Sequence, residues 1–442
     1  MDKEKNEVME GYNETEIGVL PADWEVVKAG NIFKNVDLRV KHLAYYKEPL
    51  PILSITRYEG LILQEEKFIK RVASRDISNY KVVKQGQLVY GFPIDEGVIA
   101  ILHRYKIGVV SPAYQVWEIK KEVDLIYLDA VLKTPLLIRQ YIKFASNVVH
   151  RRRNLSPKDF INVAIPLPPL SEQRKIAYVL STIQKAIELQ DKVIAALREL
   201  KKSLMRHLFT YGPVPIDHID RVPLKETEIG MVPEHWEVVR LGEAIINTQY
   251  GLSLRGSTNG KYPILRMNNI IEGSINTSDL QYVNLDLQQL ERFRLNKGDI
   301  LFNRTNSFEL VGKASLFALE GDFVFASYLI RIIANKMRLA PGFLNYYLNW
   351  DETQHRLKLL ASRGVSQSNI SATKLKGFVI SLPPITEQNQ IAHNLTAVDN
   401  KINAEEKRKS ALQSLFQTML HLLMTGRVRV KDLEVKEDAL RR

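Results

Sequence analysis

The chain contains no cysteine, which excludes disulfides, thiolate zinc sites and cysteine nucleophiles. Also missing is any apolar run of the roughly 18 to 20 residues that a membrane helix needs. The opening residues, MDKEKNEVME, lack the apolar core of a signal peptide, so the expectation is a cytoplasmic protein with no membrane partner. No [DN]PP[FYW] tetrapeptide of an amino-methyltransferase is present, because the double prolines stand in LPPL and LPPI. A glycine-rich phosphate loop is missing: Gly312-Lys313 is followed by Ala314 and lacks the upstream glycine. The nine histidines never fall at the i, i+4 spacing of a helical metal site. Asp95 followed by Glu118-Ile119-Lys120 resembles the magnesium-holding set of many nucleases, but alternation around Trp117 and Ile119 places Glu118 and Lys120 on the wet face of a strand.

What is present is a duplication. Residues 15–28, TEIGVLPADWEVVK, return at 227–240 as TEIGMVPEHWEVVR, with nine of fourteen positions identical. Residues 165–177, IPLPPLSEQRKIA, return at 380–392 as ISLPPITEQNQIA, with eight of thirteen identical. So long a period signals a duplicated domain plus connector, not a solenoid, and implies a pseudo-twofold object. Between these anchors PILSI (51–55) matches PILRM (263–267) and QGQLVY (85–90) matches KGDILF (297–302), short apolar runs that read as strands. Helical periodicity over 124–144 and 341–360 closes each block. The fold class is therefore mixed α/β with two related domains, placed at 1–165 and 213–380.

After each domain comes a long helix, 166–212 and 381–426, with a tail at 427–442. Ser171 and Thr386 are the expected caps, Glu172 and Glu387 suit the helix dipole, and Gly212 and Gly426 end the helices. Ile176, Leu180, Ile183, Ile187, Ile194, Leu197, Leu204 and Leu208 make a 3,4 seam, repeated from Ile391 to Leu423. Gln190, Glu405, Lys201 and Lys409 interrupt it. Helices of about 40 residues, roughly 60 Å, need a partner of equal length, and the duplication makes that pair antiparallel.

A net charge of +12 draws polyanions, of which nucleic acid is the commonest in a cytoplasm, although the same charge also serves solubility. Long polar side chains at matching places are the candidate DNA readers: Thr56, Arg57 and Tyr58 in one copy, Arg266, Asn268 and Asn269 in the other. Arginine pairs bidentately with guanine and asparagine with adenine, whereas the plain alternative is a polar loop facing water. Arg304 stands where the first copy has Phe92. Arg151, Arg152 and Arg153 form the densest basic cluster, suited to phosphates, and align with Ser366, Gln367 and Ser368. Ser156 and Ser371, following the shared Asn154 and Asn369, are expected to cap the next element.

The TEIG…P..W.V openings, the two LPP[LI][ST]EQ connectors and the closing Gly426-Arg427-Val428-Arg429-Val430 together resemble the DNA-specificity (S) subunit of type I restriction-modification enzymes. The resemblance runs to about residue 430. It implies two target-recognition domains, each taking one half of a split double-stranded DNA target, on an antiparallel pair of spacer helices. It implies a non-catalytic chain with no cofactor of its own. Two modification subunits would bring S-adenosylmethionine, and restriction subunits would bring ATP and magnesium. One departure stands out: Asn35-Val36-Asp37 occupies the place of Thr248-Gln249-Tyr250-Gly251. The alternative from a different class is a single-chain nuclease or methyltransferase.

Overall fold

The computed structural model describes residues 10–43, 50–56, 59–68, 72–145, 154–364 and 367–435. The chain divides into two compact units that do not follow it linearly: Met1–Asp191 with Arg408–Arg442, and Lys192–Lys407. Each unit therefore holds one domain and parts of both long helices.

In the first unit, TEIG forms a hairpin, Tyr12–Thr15 against Gly18–Pro21, closed by the Thr15 hydroxyl donating to the Gly18 carbonyl (2.6 Å). Glu25–Lys28 then pairs antiparallel with Ala164–Leu167, so the opening anchor and the connector become neighbours in one ladder. A four-stranded antiparallel sheet has the spatial order Phe33–Val36, Gln115–Ile119, Leu88–Tyr90, Ile99–Ile101. One face of that sheet packs on Tyr127, Leu128, Tyr141 and Phe160, with Phe160 4.8 Å from Trp117 and 4.9 Å from Tyr90, ring centre to ring centre. Glu118 and Lys120 are exposed beside buried Trp117, as the alternation demands.

The second unit repeats the plan. Leu224–Thr227 pairs with Gly230–Pro233 through the same threonine hydroxyl bond (2.6 Å), and Glu237–Arg240 pairs with Val379–Leu382. Its four-stranded sheet runs Ile245–Tyr250, Leu329–Ala334, Ile300–Asn303, Ala314–Leu316. The closing helical blocks are each two helices, Leu125–Leu132 with Pro135–Phe144 and Pro341–Asn349 with Asp351–Leu360. Proline at the first helical position after Thr134 forces the first break, and extended backbone at Trp350 makes the second. Ser156 and Ser371 cap short helices as expected, accepting from the Asp159 and Lys374 amides (3.2 Å each).

The long helices are Leu170–Tyr211 and Ile385–Met424. They start two residues earlier than caps at Ser171 and Thr386 require. The first turns hand their amides to the Pro169 and Pro384 carbonyls, which leaves both hydroxyl residues within the first turn. Gly212 and Gly426 end them in left-handed conformation (φ 84° and 66°). Within the second unit Arg198 meets Glu406 (2.8 Å) and Lys201 meets Asp399 (2.6 Å), so rising numbers face falling ones and the pair is antiparallel. In the first unit Lys409 meets Asp191 (2.5 Å). Both lysine interruptions of the seam are thus cross-helix ion pairs. Gln190 and Glu405 are buried, and Glu405 pairs with Lys401 one turn away (2.6 Å). Among the described residues no helix is long and apolar enough to cross a membrane.

Candidate nucleic-acid interface

The repeated Glu-Gln after each double proline fastens the helix start to its own domain. Glu172, 2% exposed, accepts from Trp24 Nε1 (3.1 Å) and from Arg429 Nε and Nη2 (2.8 Å each). Arg429 also donates to Asp23 (2.6 Å), and that bond holds the Asp23 carboxyl below its ordinary value. In the second unit Glu387 accepts from Trp236 Nε1 (3.0 Å) and contacts His235, which stands at the place of Asp23 (2.8 Å). Gln173 and Gln388 donate to the Pro168 and Pro383 carbonyls (2.8 and 2.7 Å) and accept from the Asp124 and Ala340 amides (3.0 and 2.8 Å). The frame therefore uses its repeated polar residues internally, and the surfaces it carries are where the copies differ.

Of the sequence candidates, Arg57, Tyr58, Arg151, Arg152 and Arg153 lie outside the described residues. Thr56 is half-buried, and its hydroxyl donates to the Gly60 carbonyl and accepts from the Glu59 amide. Arg266, Asn268 and Asn269 share one short turn. Arg266 is ion-paired with Asp279 (2.9 Å), and Asn268 is exposed. The expectation that Asn269 offers its amide to a base is corrected. Asn269 is 2% exposed; its Nδ2 donates to the Asn276 and Asp279 carbonyls (2.9 and 3.1 Å), and its Oδ1 accepts from the Arg266 amide (2.9 Å). An amide spent on backbone groups shapes the loop and has no reach to a base edge.

Arg304 and Asn369, far apart in sequence, come together. Ser368–Asn369 is the middle strand of a small ribbon, flanked by Thr305–Asn306 and Ser362–Arg363. The Ile370 amide donates to the Arg304 carbonyl (2.9 Å), and exposed Gln367 begins the middle strand's approach. Two aromatics that sequence reasoning passed over stand beside Arg304: Tyr250, 44% exposed, whose ring lies 4.8 Å below the guanidinium, and Tyr328, 46% exposed, whose carbonyl accepts from the Arg304 amide (3.1 Å). In the first unit Phe92, at the Arg304 place, is also exposed and meets Tyr114 edge to face. The available signal was the glycine-flanked Gln249-Tyr250, already noted as a departure between the copies. Among the described residues no group of three or more His, Cys, Asp or Glu is placed to hold a metal ion.

With two copies of one frame carrying unlike polar surfaces, the class is a duplicated recognition protein. The family model for the type I restriction modification DNA specificity domain matches residues 21–199 and 233–414, and the chain belongs to that family. Among its relatives, the type I restriction enzyme MjaVIII specificity subunit of Methanocaldococcus jannaschii is 29% identical over 427 residues, 94% of this chain and 95% of that protein. The EcoKI specificity subunit of Escherichia coli is 27% identical over 55% of this chain and 52% of its own. Of solved structures, one described as the structural basis of complex assembly and conformational transition of the type I R-M system matches 92% of this chain and 99% of its own, with TM-score 0.57 and 17% identity. The S subunit from M. genitalium matches at TM-score 0.50 and 15% identity, over 90% of this chain and 96% of its own. At that identity the structures show the fold.

Proposed function

We propose that the chain is the DNA-specificity subunit of a type I restriction-modification complex, a sequence reader and scaffold with no catalytic site of its own. Each domain takes one half of a split double-stranded target. The single observation that carries this is a frame repeated down to its hydrogen bonds beneath surfaces that differ, exposed Phe92 against half-buried Arg304 above all. Equal frames give two sites of equal kind, and unlike surfaces give unlike half-sites, so the full target is asymmetric. The net charge of +12 supplies the field that gathers DNA.

Partner docking belongs to the same proposal. Leu189, Val193 and Leu200 are 61%, 43% and 53% exposed along one stripe of the first long helix, at the spacing of a second seam. That stripe suits helices of modification subunits, two of which complete the methyltransferase, with restriction subunits joining for cleavage. S-adenosylmethionine, ATP and magnesium belong to those partners, and the complex works in the cytoplasm.

Selecting binding sites from random duplexes, with the modification subunit present, tests the reading. Two different short blocks separated by a gap of unread bases are expected. A single continuous site, or no preference at fixed salt, refutes it. Cleavage with magnesium or methyl transfer from S-adenosylmethionine by the chain alone establishes the single-chain enzyme instead.

A further inference from the structure

Arg304 differs from two other arginines withdrawn from solvent in the second unit. Half-buried Arg266 faces Asp279 and buried Arg331 faces Asp299 at 2.7 Å, each neutralised by a carboxylate. Arg304 has no carboxylate within ion-pair reach among the described residues. Its guanidinium rests on the Tyr250 ring; Nη1 donates to the Ser327 carbonyl (3.3 Å) and Nη2 to Asn369 Oδ1 (3.2 Å). Each tether is itself tied down. Asn369 Nδ2 donates to the Thr305 hydroxyl (2.7 Å), and the Tyr250 hydroxyl accepts from the Ala372 amide (2.9 Å).

Arg356 is also without an acid, but its nitrogens stitch the Val379 carbonyl to the hydroxyl of Tyr347, a core residue, and that is a packing role. Arg304 stands instead beside exposed Tyr250 and Tyr328. It is also absent from the frame, since the first copy has Phe92 at its place. An arginine needed for folding the shared plan would recur.

A cation held rigidly by neutral groups keeps its charge for an outside partner: of the five guanidinium N–H donors two are occupied and the Nε–H is buried, which leaves one on each terminal nitrogen. A fixed planar fork suits a flat two-acceptor edge better than a phosphate, which a mobile side chain can follow. We infer that Arg304 reads one guanine, through O6 and N7 in the major groove, in the half-site taken by the second domain, and that Tyr250 is the positioning residue that fixes its plane. This rests on the DNA-reading function proposed above.

The experiment is binding-site selection with the assembled specificity and modification subunits, comparing wild type with Arg304→Lys, Arg304→Gln, Tyr250→Phe and Tyr250→Ala. Both Arg304 changes lower the preference for guanine at one position of one half-site roughly tenfold or more, leaving the other half-site intact. Tyr250→Phe, which keeps the ring, retains the preference, while Tyr250→Ala loses it at the same position as Arg304→Lys. An even loss across all positions, an unchanged guanine preference in Arg304→Lys, or a Tyr250→Ala effect at a different position overturns the inference. A wild-type complex with no sequence preference overturns the underlying function, and the two failures are thereby distinct.

Discussion

Glu172 is a buried carboxylate that accepts from three donors, two from Arg429 and one from Trp24. Removing one member of a buried charged set leaves the rest unpaired, which costs more than the set's net contribution. Arg429→Ala is expected to destabilise the first unit by about 3 kcal/mol, and adding Glu172→Gln to recover part of that loss. Hydrogen exchange across residues 12–28 and 164–180 measures it locally, which suits a chain of two units better than one global midpoint. The same scale shows why some residues were legible in the sequence and others were not. Trp24 and Glu172 recur as Trp236 and Glu387, so their importance was visible, but the repeat could not say that they bond each other. Asn269 looked free because a sequence does not show which backbone carbonyls a folded loop will turn inward.

The two long helices show what periodicity reveals and what it hides. The 3,4 spacing gave the seam: Ile176, Leu180 and Leu423 are buried in the first unit's core, and Leu208, Ile391 and Leu395 in the second's. The interruptions needed coordinates, since Lys201 and Lys409 find their aspartates on the partner helix. Such half-exposed pairs contribute roughly 0 to 1 kcal/mol each and select register more than they stabilise. The apolar seam carries the stability. Leu180→Ala and Leu395→Ala, at corresponding places in the repeat and 2% and 0% exposed, are each expected to cost roughly 3 kcal/mol by cavity formation. Leu189→Ala, on the exposed stripe, should change stability by less than about 0.5 kcal/mol yet weaken assembly with the modification subunit. Denaturation of the chain alone and titration of the complex check the two halves of that expectation.

At the scale of the molecule, duplication turns helix length into a functional dimension. Deleting one matched heptad from both helices removes about 10 Å at 1.5 Å per residue. That equals roughly three base pairs of duplex at 3.4 Å each. The unread gap found by site selection is expected to shorten by that amount while both half-sites keep their bases. A gap of unchanged length would show that spacing is set elsewhere.

The first unit draws on both ends of the chain: the Tyr12 hydroxyl donates to the Gly426 carbonyl (2.7 Å), and Leu423, Met424 and Val430 complete the core around Leu20 and Trp24. The second is one uninterrupted stretch, Lys192–Lys407. A ribosome therefore releases everything the second domain needs before it has made the last strip of the first. The domain synthesised first is the last to be finished, and its early core must wait, partly uncovered, for residues 408–430 to emerge.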